Sequence, residues 1–214
     1  MKFEVPALNE GINSWKKVIK NIPNIKYLGS PGLRKKCKEI TVFDSSIKRD
    51  INRLKKTFLE YREKTGFGKG MAAPQIGIFK RFVVIFTNDN VMVLANPKIT
   101  SFSEELLIAE ELCVSLGNLS ATVIRPKFVS VQYQDETGKV LIFKGNKKES
   151  RIIQHELDHL NGVLNIDKAI KNGLRFVYDM KQLKMKDFDP DSTCPCGATK
   201  PDGRPVKYKH CCGR

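Results

Sequence analysis

The stretch QHELDHLNG, Gln154–Gly162, decides how the rest of this sequence is interpreted. Two of the three histidines in the chain, His155 and His159, stand four residues apart, and Glu156 directly follows the first. In an α-helix, residues i and i+4 lie on one face about one turn apart, so both imidazoles can reach the same metal ion. The carboxylate beside them can accept a proton from a water molecule at that ion. The stretch therefore predicts a helix that carries a metal site with its own base.

Apolar residues around the two histidines predict that this helix is buried. We expect it to begin at Ser150, a candidate N-cap, and to end at Gly162. Its apolar residues are Ile152, Ile153, Leu157 and Leu160. A buried histidine needs a polar partner or a metal ion. This favours a metal site over an exposed helix that carries two unrelated histidines.

The third metal ligand must come from elsewhere in the chain. A histidine six residues after the second one would indicate a metzincin-like site, but that position is Asn165. A downstream glutamate would indicate a thermolysin-like site, but Glu156 is the last glutamate of the sequence. A downstream aspartate or an upstream cysteine remains. The upstream candidate is Cys113, in the segment EELCVSLG.

The composition is that of a globular protein. Of 214 residues, 41% are hydrophobic and 29% are charged, and no apolar run is long enough to cross a bilayer. No secretory signal is recognisable, so we expect a cytoplasmic protein whose six cysteines are reduced and serve as metal ligands or core residues. The net charge of +15 favours anionic neighbours such as RNA, although a solvated basic surface has the same composition.

Helix and strand patterns surround these candidate site residues. Residues 44–66 predict a helix that Asp44 or Ser45 caps and Gly66 ends. Its apolar stripe consists of Ile47, Ile51, Leu54, Phe58 and Tyr61. Alternating apolar segments around turn residues predict two β-hairpins, at 81–97 and 128–145. A basic helix is expected over about 168–186, and KDFDPDS at 186–192 predicts a linker.

Three motifs, in this order, resemble the signatures of peptide deformylases: GKGMAAPQIG at 68–77, ELCVS at 111–115 and QHELDHLNG at 154–162. The segment SPGLRKKCKEITVFD at 30–44 is similar to the amino-terminal part of that family, and the resemblance covers about residues 25–170. It implies an α+β fold with antiparallel strands around a central HExxH helix. It also implies a hydrolase of linear amides in protein biosynthesis, which removes the formyl group from the formyl-methionine of nascent polypeptides during translation.

The resemblance implies a metal centre. Cys113, His155 and His159 would bind one divalent ion, Fe²⁺ by preference in the family, with Ni²⁺, Co²⁺ or Zn²⁺ as alternatives. Gln154 and Asp158 would orient these ligands or brace their helix. The expected centre is therefore a mixed thiolate and imidazole site.

The resemblance also implies the catalytic groups. Glu156 would accept the proton of the attacking water and pass it to the leaving amine. The side-chain amide of Gln75 and the backbone N–H of Val114 would stabilise the oxyanion. Gly68 and Gly70 would let the backbone approach the substrate closely.

The sequence departs from the family pattern around the expected methionine pocket. Lys69 replaces a small aliphatic residue, Leu112 replaces a glycine, and KKES at Lys147–Ser150 replaces an apolar run. A pocket for a thioether should be apolar, so Lys69 and Lys148 point to water or the substrate preference has changed. We hypothesise that the chemistry is retained and that side-chain selectivity is altered.

The carboxyl-terminal sequence CPCGATKPDGRPVKYKHCCGR, 194–214, forms a second constellation. A segment this short cannot bury a core, so four cysteines binding one structural Zn²⁺ would supply most of its folding energy. It resembles the SEC-C motif, with an insertion after Gly197 and with His210 as a spare ligand. The four expected ligands are Cys194, Cys196, Cys211 and Cys212. The alternative is a disordered, thiol-rich tail.

These observations predict a deformylase catalytic domain at 1–168, a basic helix and linker at 169–192, and a zinc module at 193–214. The module and its basic flanks suggest the ribosome or another translation component as a partner. Two other functions remain open, a non-catalytic ribosome- or RNA-binding protein with a structural metal site, and a hydrolase of a different N-acyl amide. Glu156 and Gln75 favour an enzyme, because a purely structural metal site needs neither.

Overall fold

The computed structural model describes residues 22, 24–177, 183 and 185–213. In this part of the chain, two α-helices are formed, α1 (Ser45–Thr65) and α2 (Lys147–Leu160). The strands are β1 (Gly70–Ala72), β2 (Phe82–Thr87), β3 (Asn90–Phe102), β4 (Leu106–Leu112), β5 (Leu119–Pro126), β6 (Val129–Gln134), β7 (Val140–Lys144), β8 (Leu174–Phe176) and β9 (Met185–Phe188). None of the helices described is long and apolar enough to span a membrane.

The strands form two antiparallel sheets. One has the order β1-β2-β3-β6-β7 and contains both predicted hairpins, β2–β3 and β6–β7. The other has the order β8-β5-β4-β9. With the two helices, this confirms the predicted α+β fold of antiparallel strands around the HExxH helix.

Helix α1 confirms its predicted boundaries. The Asp44 carboxylate accepts hydrogen bonds from the backbone N–H groups of Ser46 and Ile47, at 2.9 and 3.0 Å. Gly66 ends the helix in the left-handed conformation, with φ 72°. The predicted apolar stripe faces the protein core, with Ile47, Ile51, Leu54 and Phe58 fully buried and Tyr61 partly buried.

Strand β2 is covered on both faces. Phe82 and Val84 pack in the cluster that contains α1, whereas Val83 and Ile85 pack in the cluster that contains α2. Successive side chains of a strand point to opposite faces, so a strand between two helices must be apolar at every position. The five-stranded sheet therefore separates the two helices and holds α2 in the interior.

Helix α2 begins earlier and ends earlier than predicted. Asn146 is the N-cap, and its side chain and that of Glu149 bond each other's backbone N–H groups in a capping box. The predicted cap Ser150 is instead buried inside the helix, where its hydroxyl bonds two backbone groups. Asn161 is the C-cap, so Gly162 lies beyond the helix. Ser150 and Gly162 were therefore wrong as boundaries, because stronger capping groups stand next to them.

The predicted basic helix over 168–186 is wrong for the residues that the structure describes. A short 3₁₀ turn ends at Lys168, and the range then contributes β8 and the start of β9. Residues 178–182 and 184 lie outside the described residues. Strand β8 pairs with β5, and β9 pairs with β4. Pairing with distant strands overrides local helix propensity here.

Candidate active site

The three predicted metal ligands meet at the junction of β4 and α2. Cys113 directly follows β4, and His155 and His159 lie on α2. Each offers a ligand atom within 4.8 Å of the other two, and Sγ of Cys113 lies 3.1 Å from Nε2 of His159. All three side chains are buried. A thiolate and two imidazoles form a donor set that suits Fe²⁺, Co²⁺, Ni²⁺ or Zn²⁺, so the residues fit a divalent transition metal.

The two imidazoles are prepared for metal binding. Nδ1 of His155 lies 3.0 Å from Oε2 of Glu111, which leaves its Nε2 available for a metal. Burial lowers the pKa of His159 well below its ordinary value, so this imidazole is neutral. The neutral ring is the form that binds a metal ion.

Glu111 is a site residue to which the sequence interpretation assigned no role. Its buried carboxylate accepts hydrogen bonds from Arg125, at 2.7 and 2.9 Å, and from Arg151, at 2.6 Å. Burial alone would raise the pKa of Glu111, but Arg125 and His155 outweigh it and hold that pKa well below its usual range. Inward positions of β4 alternate as Leu107, Ala109 and Glu111. A carboxylate on an apolar strand face was the signal that could have identified it.

Two further residues of α2 connect the helix to strand β5. Asp158 accepts a hydrogen bond from Arg125 at 2.7 Å and an ion pair from Lys168 at 2.8 Å. The amide nitrogen of Gln154 donates to the backbone carbonyl of Pro126 at 3.0 Å. These contacts agree with the predicted bracing of the metal helix.

The side chain of Gln75 is buried and held in one orientation. Its Oε1 accepts a hydrogen bond from the backbone N–H of Ala72 at 2.7 Å. Its Nε2 therefore faces the metal ligands, donates to Ser115 Oγ at 3.1 Å and lies 3.6 Å from Cys113 Sγ. An amide donor fixed beside the ligand thiol can serve a developing oxyanion.

The two predicted glycines have different structural reasons. Gly68 has φ 101°, in the left-handed region that disfavours other residues. Gly70 lies so close to Glu156 that a Cβ atom would stand 2.6 Å from its Oε1. Glycine at position 70 thus makes room for the catalytic carboxylate, in addition to the predicted close approach to substrate. Burial raises the pKa of Glu156 to about 7, and its Oε2 has no hydrogen-bond partner within the described residues.

A cavity of about 170 Å³ brings the candidate catalytic groups together. Half-buried Val114 contributes to its wall, and further apolar lining comes from Leu112 and Ile152. Arg151 lines it as well, with its guanidinium bonded to Glu111. The predicted site residues among its lining are Gly68, Gly70, Gln75, Cys113, Val114, His155 and Glu156.

Both lysines that departed from the family pattern are exposed. Lys69 lies at the cavity, with its ammonium 5.4 Å from the centroid of the Phe86 ring. Lys148 does not line the cavity. The first of the two alternatives, lysines that point to water, therefore agrees with the structure.

The carboxyl-terminal cysteines form a second candidate metal centre. The sulfur atoms of Cys194, Cys196, Cys211 and Cys212 lie within 4.8 Å of one another. Burial would raise the pKa of the Cys194 thiol, but hydrogen bonds from backbone and thiol groups of Cys196 and its neighbours lower it to about 6. His210 is exposed and does not belong to this cluster. The residues fit one ion held by four thiolates.

Comparisons with known proteins agree with this geometry. Residues 22–174 match the polypeptide deformylase family. A peptide deformylase of Thermotoga neapolitana is 40% identical over 144 residues, which cover 67% of this chain and 85% of that protein. One from Picosynechococcus sp. is 37% identical over 163 residues, covering 74% and 84%. The crystal structure of peptide deformylase from Thermotoga maritima, at 37% identity, has a TM-score of 0.64 and covers 69% of this chain and 97% of its own. The chain therefore belongs to the polypeptide deformylase family, and it is a metal-dependent enzyme that removes N-terminal formyl groups.

Proposed function

We propose that Cys113, His155 and His159 bind the catalytic divalent ion, with Fe²⁺ as the ion in the cell, and that Glu156 is the catalytic base. The carrying observation is that the three ligand atoms converge at the cavity that the Glu156 carboxylate also lines. When bound, the ion would polarise the formyl carbonyl and lower the pKa of the attacking water.

The protein groups then divide the reaction between them. Glu156 accepts a proton from the attacking water at its carboxylate and delivers it to the nitrogen of the leaving amine. The Nε2 amide of Gln75 and the backbone N–H of Val114 donate to the oxyanion that forms on the formyl carbon. Glu111 holds the His155 ring through its Nδ1. The burial of Gln75 and Glu156 supports this division, because donors and bases act more strongly where water is excluded.

The substrate we propose is an N-formylmethionyl peptide. The solved structure of a peptide deformylase from Acinetobacter baumannii, 27% identical to this chain, is bound to Met-Ala-Ser. The cavity of this chain has room for one amino-acid side chain beside the candidate ligands, and its apolar wall of Leu112 and Ile152 suits a thioether.

The direct test is release of formate from formyl-Met-Ala-Ser by protein loaded anaerobically with Fe²⁺ or Ni²⁺. We expect steady turnover, with the metal supplied at one equivalent above that held by the cysteine cluster. A formyl-specific enzyme should leave acetyl-Met-Ala-Ser intact. Hydrolysis of the acetyl peptide but not of the formyl peptide would instead favour a different N-acyl amide as substrate.

Side-chain selectivity is expected to follow the apolar pocket. Because Lys69 and Lys148 are exposed, the reason for altered selectivity is weakened, and formyl-Met should exceed formyl-Leu about tenfold and formyl-Glu at least about 100-fold in kcat/KM. Lys148→Met is the matched control and should change none of these ratios. A preference for formyl-Glu that disappears in Lys69→Met would restore the hypothesis of altered selectivity.

We propose that the four-cysteine cluster binds one structural Zn²⁺ as a SEC-C-like module, and that its basic surface contacts the ribosome or another translation component. Exposed Lys200 and Arg204 support an anionic partner. Replacing both by glutamine should weaken co-sedimentation with ribosomes and lower its salt slope by about 1 per lost phosphate contact. The control, Lys139→Gln with Lys144→Gln in the other sheet, should have no effect. Equal losses in both pairs would indicate nonspecific charge attraction only.

A further inference from the structure

Strand β9 covers the outer edge of the strand that leads into the catalytic site. It pairs antiparallel with β4, from Leu106 opposite Phe188 to Ala109 opposite Met185. Strand β4 continues through Glu111 and is followed directly by Cys113. Its other neighbour in the sheet is β5, so without β9 it would be an edge strand.

The chain after β9 folds back onto it. We call residues 189–213 the cysteine module. The rings of Phe188 in β9 and Tyr208 in the module meet edge to face, with centroids 5.1 Å apart. The backbone N–H of Tyr208 donates to the carbonyl of Ser192 at 2.9 Å, and Lys207 pairs with Asp191 at 2.7 Å. The module is thus closed upon itself and in contact with β9.

The cysteine module also faces the catalytic part of the chain. A cavity of about 420 Å³ lies between residues 167–171 and the module, and both Cys194 and Cys212 line it. On the catalytic side, Lys168 reaches the Asp158 carboxylate. At the far end of β9, the ammonium of Lys127 lies 3.0 Å from Asp187. The module therefore meets the catalytic part both through β9 and through the segment that contacts α2.

We propose that the cysteine module clamps β9 onto β4 and thereby positions Glu111 and Cys113 for binding of the catalytic metal. Strand β9 is only four residues long and its residues are largely exposed, so its own pairing holds it weakly. The Phe188–Tyr208 contact and the folded module add contacts that a free tail would lack. A loosened β9 leaves β4 free to fray at the end opposite Cys113, and the ligand strand loses its fixed position.

This inference rests on the proposed role of Cys113 as a ligand, but it does not depend on which ion the module holds. It assigns the module a task inside the enzyme that is separate from any ribosome contact. Tyr208 is a positioning residue under this proposal, since it acts on the metal ligand through β9 and β4.

Hydrogen exchange in the full-length, metal-loaded protein tests the clamp. Tyr208→Ala should speed amide exchange in residues 106–112 about three- to tenfold, because it removes an aromatic contact of that size. Residues 129–134 in the other sheet are the internal control and should not change. Tyr208→Phe keeps the ring and should match the wild type. Equal exchange of 106–112 in the alanine and phenylalanine variants would overturn the proposal.

A second variant pair examines the module as a whole. Cys211→Ser with Cys212→Ser should speed exchange of residues 106–112 at least about tenfold and speed release of the catalytic metal to a chelator about three- to tenfold. His210→Ala, which alters the neighbour outside the cluster, should change neither rate. Unaltered exchange in the double serine variant would show a freely tethered module. Both readouts need no substrate, so absence of formate release would count against the proposed reaction alone.

Discussion

Glu156→Gln is expected to lower kcat for formate release by about 10²- to 10⁴-fold, the usual contribution of a positioned proton-transfer group. Glutamine keeps the shape that fits against Gly70 but cannot accept the proton of the attacking water. The metal ligands Cys113, His155 and His159 are untouched. Catalysis should therefore fall while the bound metal stays.

The measurement is formate release from formyl-Met-Ala-Ser together with metal content of the same samples. Glu149→Gln is the matched control, because Glu149 lies on the same helix but caps its first turn and does not line the cavity. It should leave kcat unchanged at a small loss of stability, about 1 kcal/mol. If Glu156→Gln with full metal content retained turnover within tenfold of the wild type, another group would have to be the base.

Glu111→Gln is expected to lower the free energy of unfolding by about 3–5 kcal/mol. The carboxylate is the shared partner of Arg125 and Arg151, and both guanidinium groups are buried. Glutamine leaves Arg125 with Asp158 as its remaining counter-ion and brings an N–H₂ group towards donors. Loss of the hydrogen bond to His155 should also weaken catalytic metal binding about 10- to 100-fold.

Urea unfolding at a fixed metal load and competition with a chelator would measure the two effects. Glu110→Gln is the matched control, one residue away on the same strand, where the partner Arg175 is partly exposed. Its loss should stay below about 1 kcal/mol, as for other exposed ion pairs. Similar losses in both variants would mean that Glu111 acts as an ordinary strand residue rather than as the centre of a buried ion cluster.

Local spacing explains most of what the sequence predicted correctly. His155, Glu156 and His159 are within five residues, and the helical repeat alone sets their relation to one another. Asp44 and Gly66 are equally local signals, because a cap acts on backbone groups of the next few residues. The misplaced cap at Ser150 shows the limit, since Asn146 and Glu149 offered a better reciprocal pair four residues earlier.

The sequence by itself determined the helix with two metal ligands, its carboxylate, the order of the deformylase motifs and the four-cysteine set, because each depends on residue type at short spacing. Only the tertiary structure decided that Glu111 joins Arg125, Arg151 and His155, and that residues once expected to be helical pair with β4 and β5 instead. Those contacts join residues that are far apart in the chain. Their free energy comes from burial, charge pairing and strand pairing in the folded state, so no local pattern in the sequence contains them.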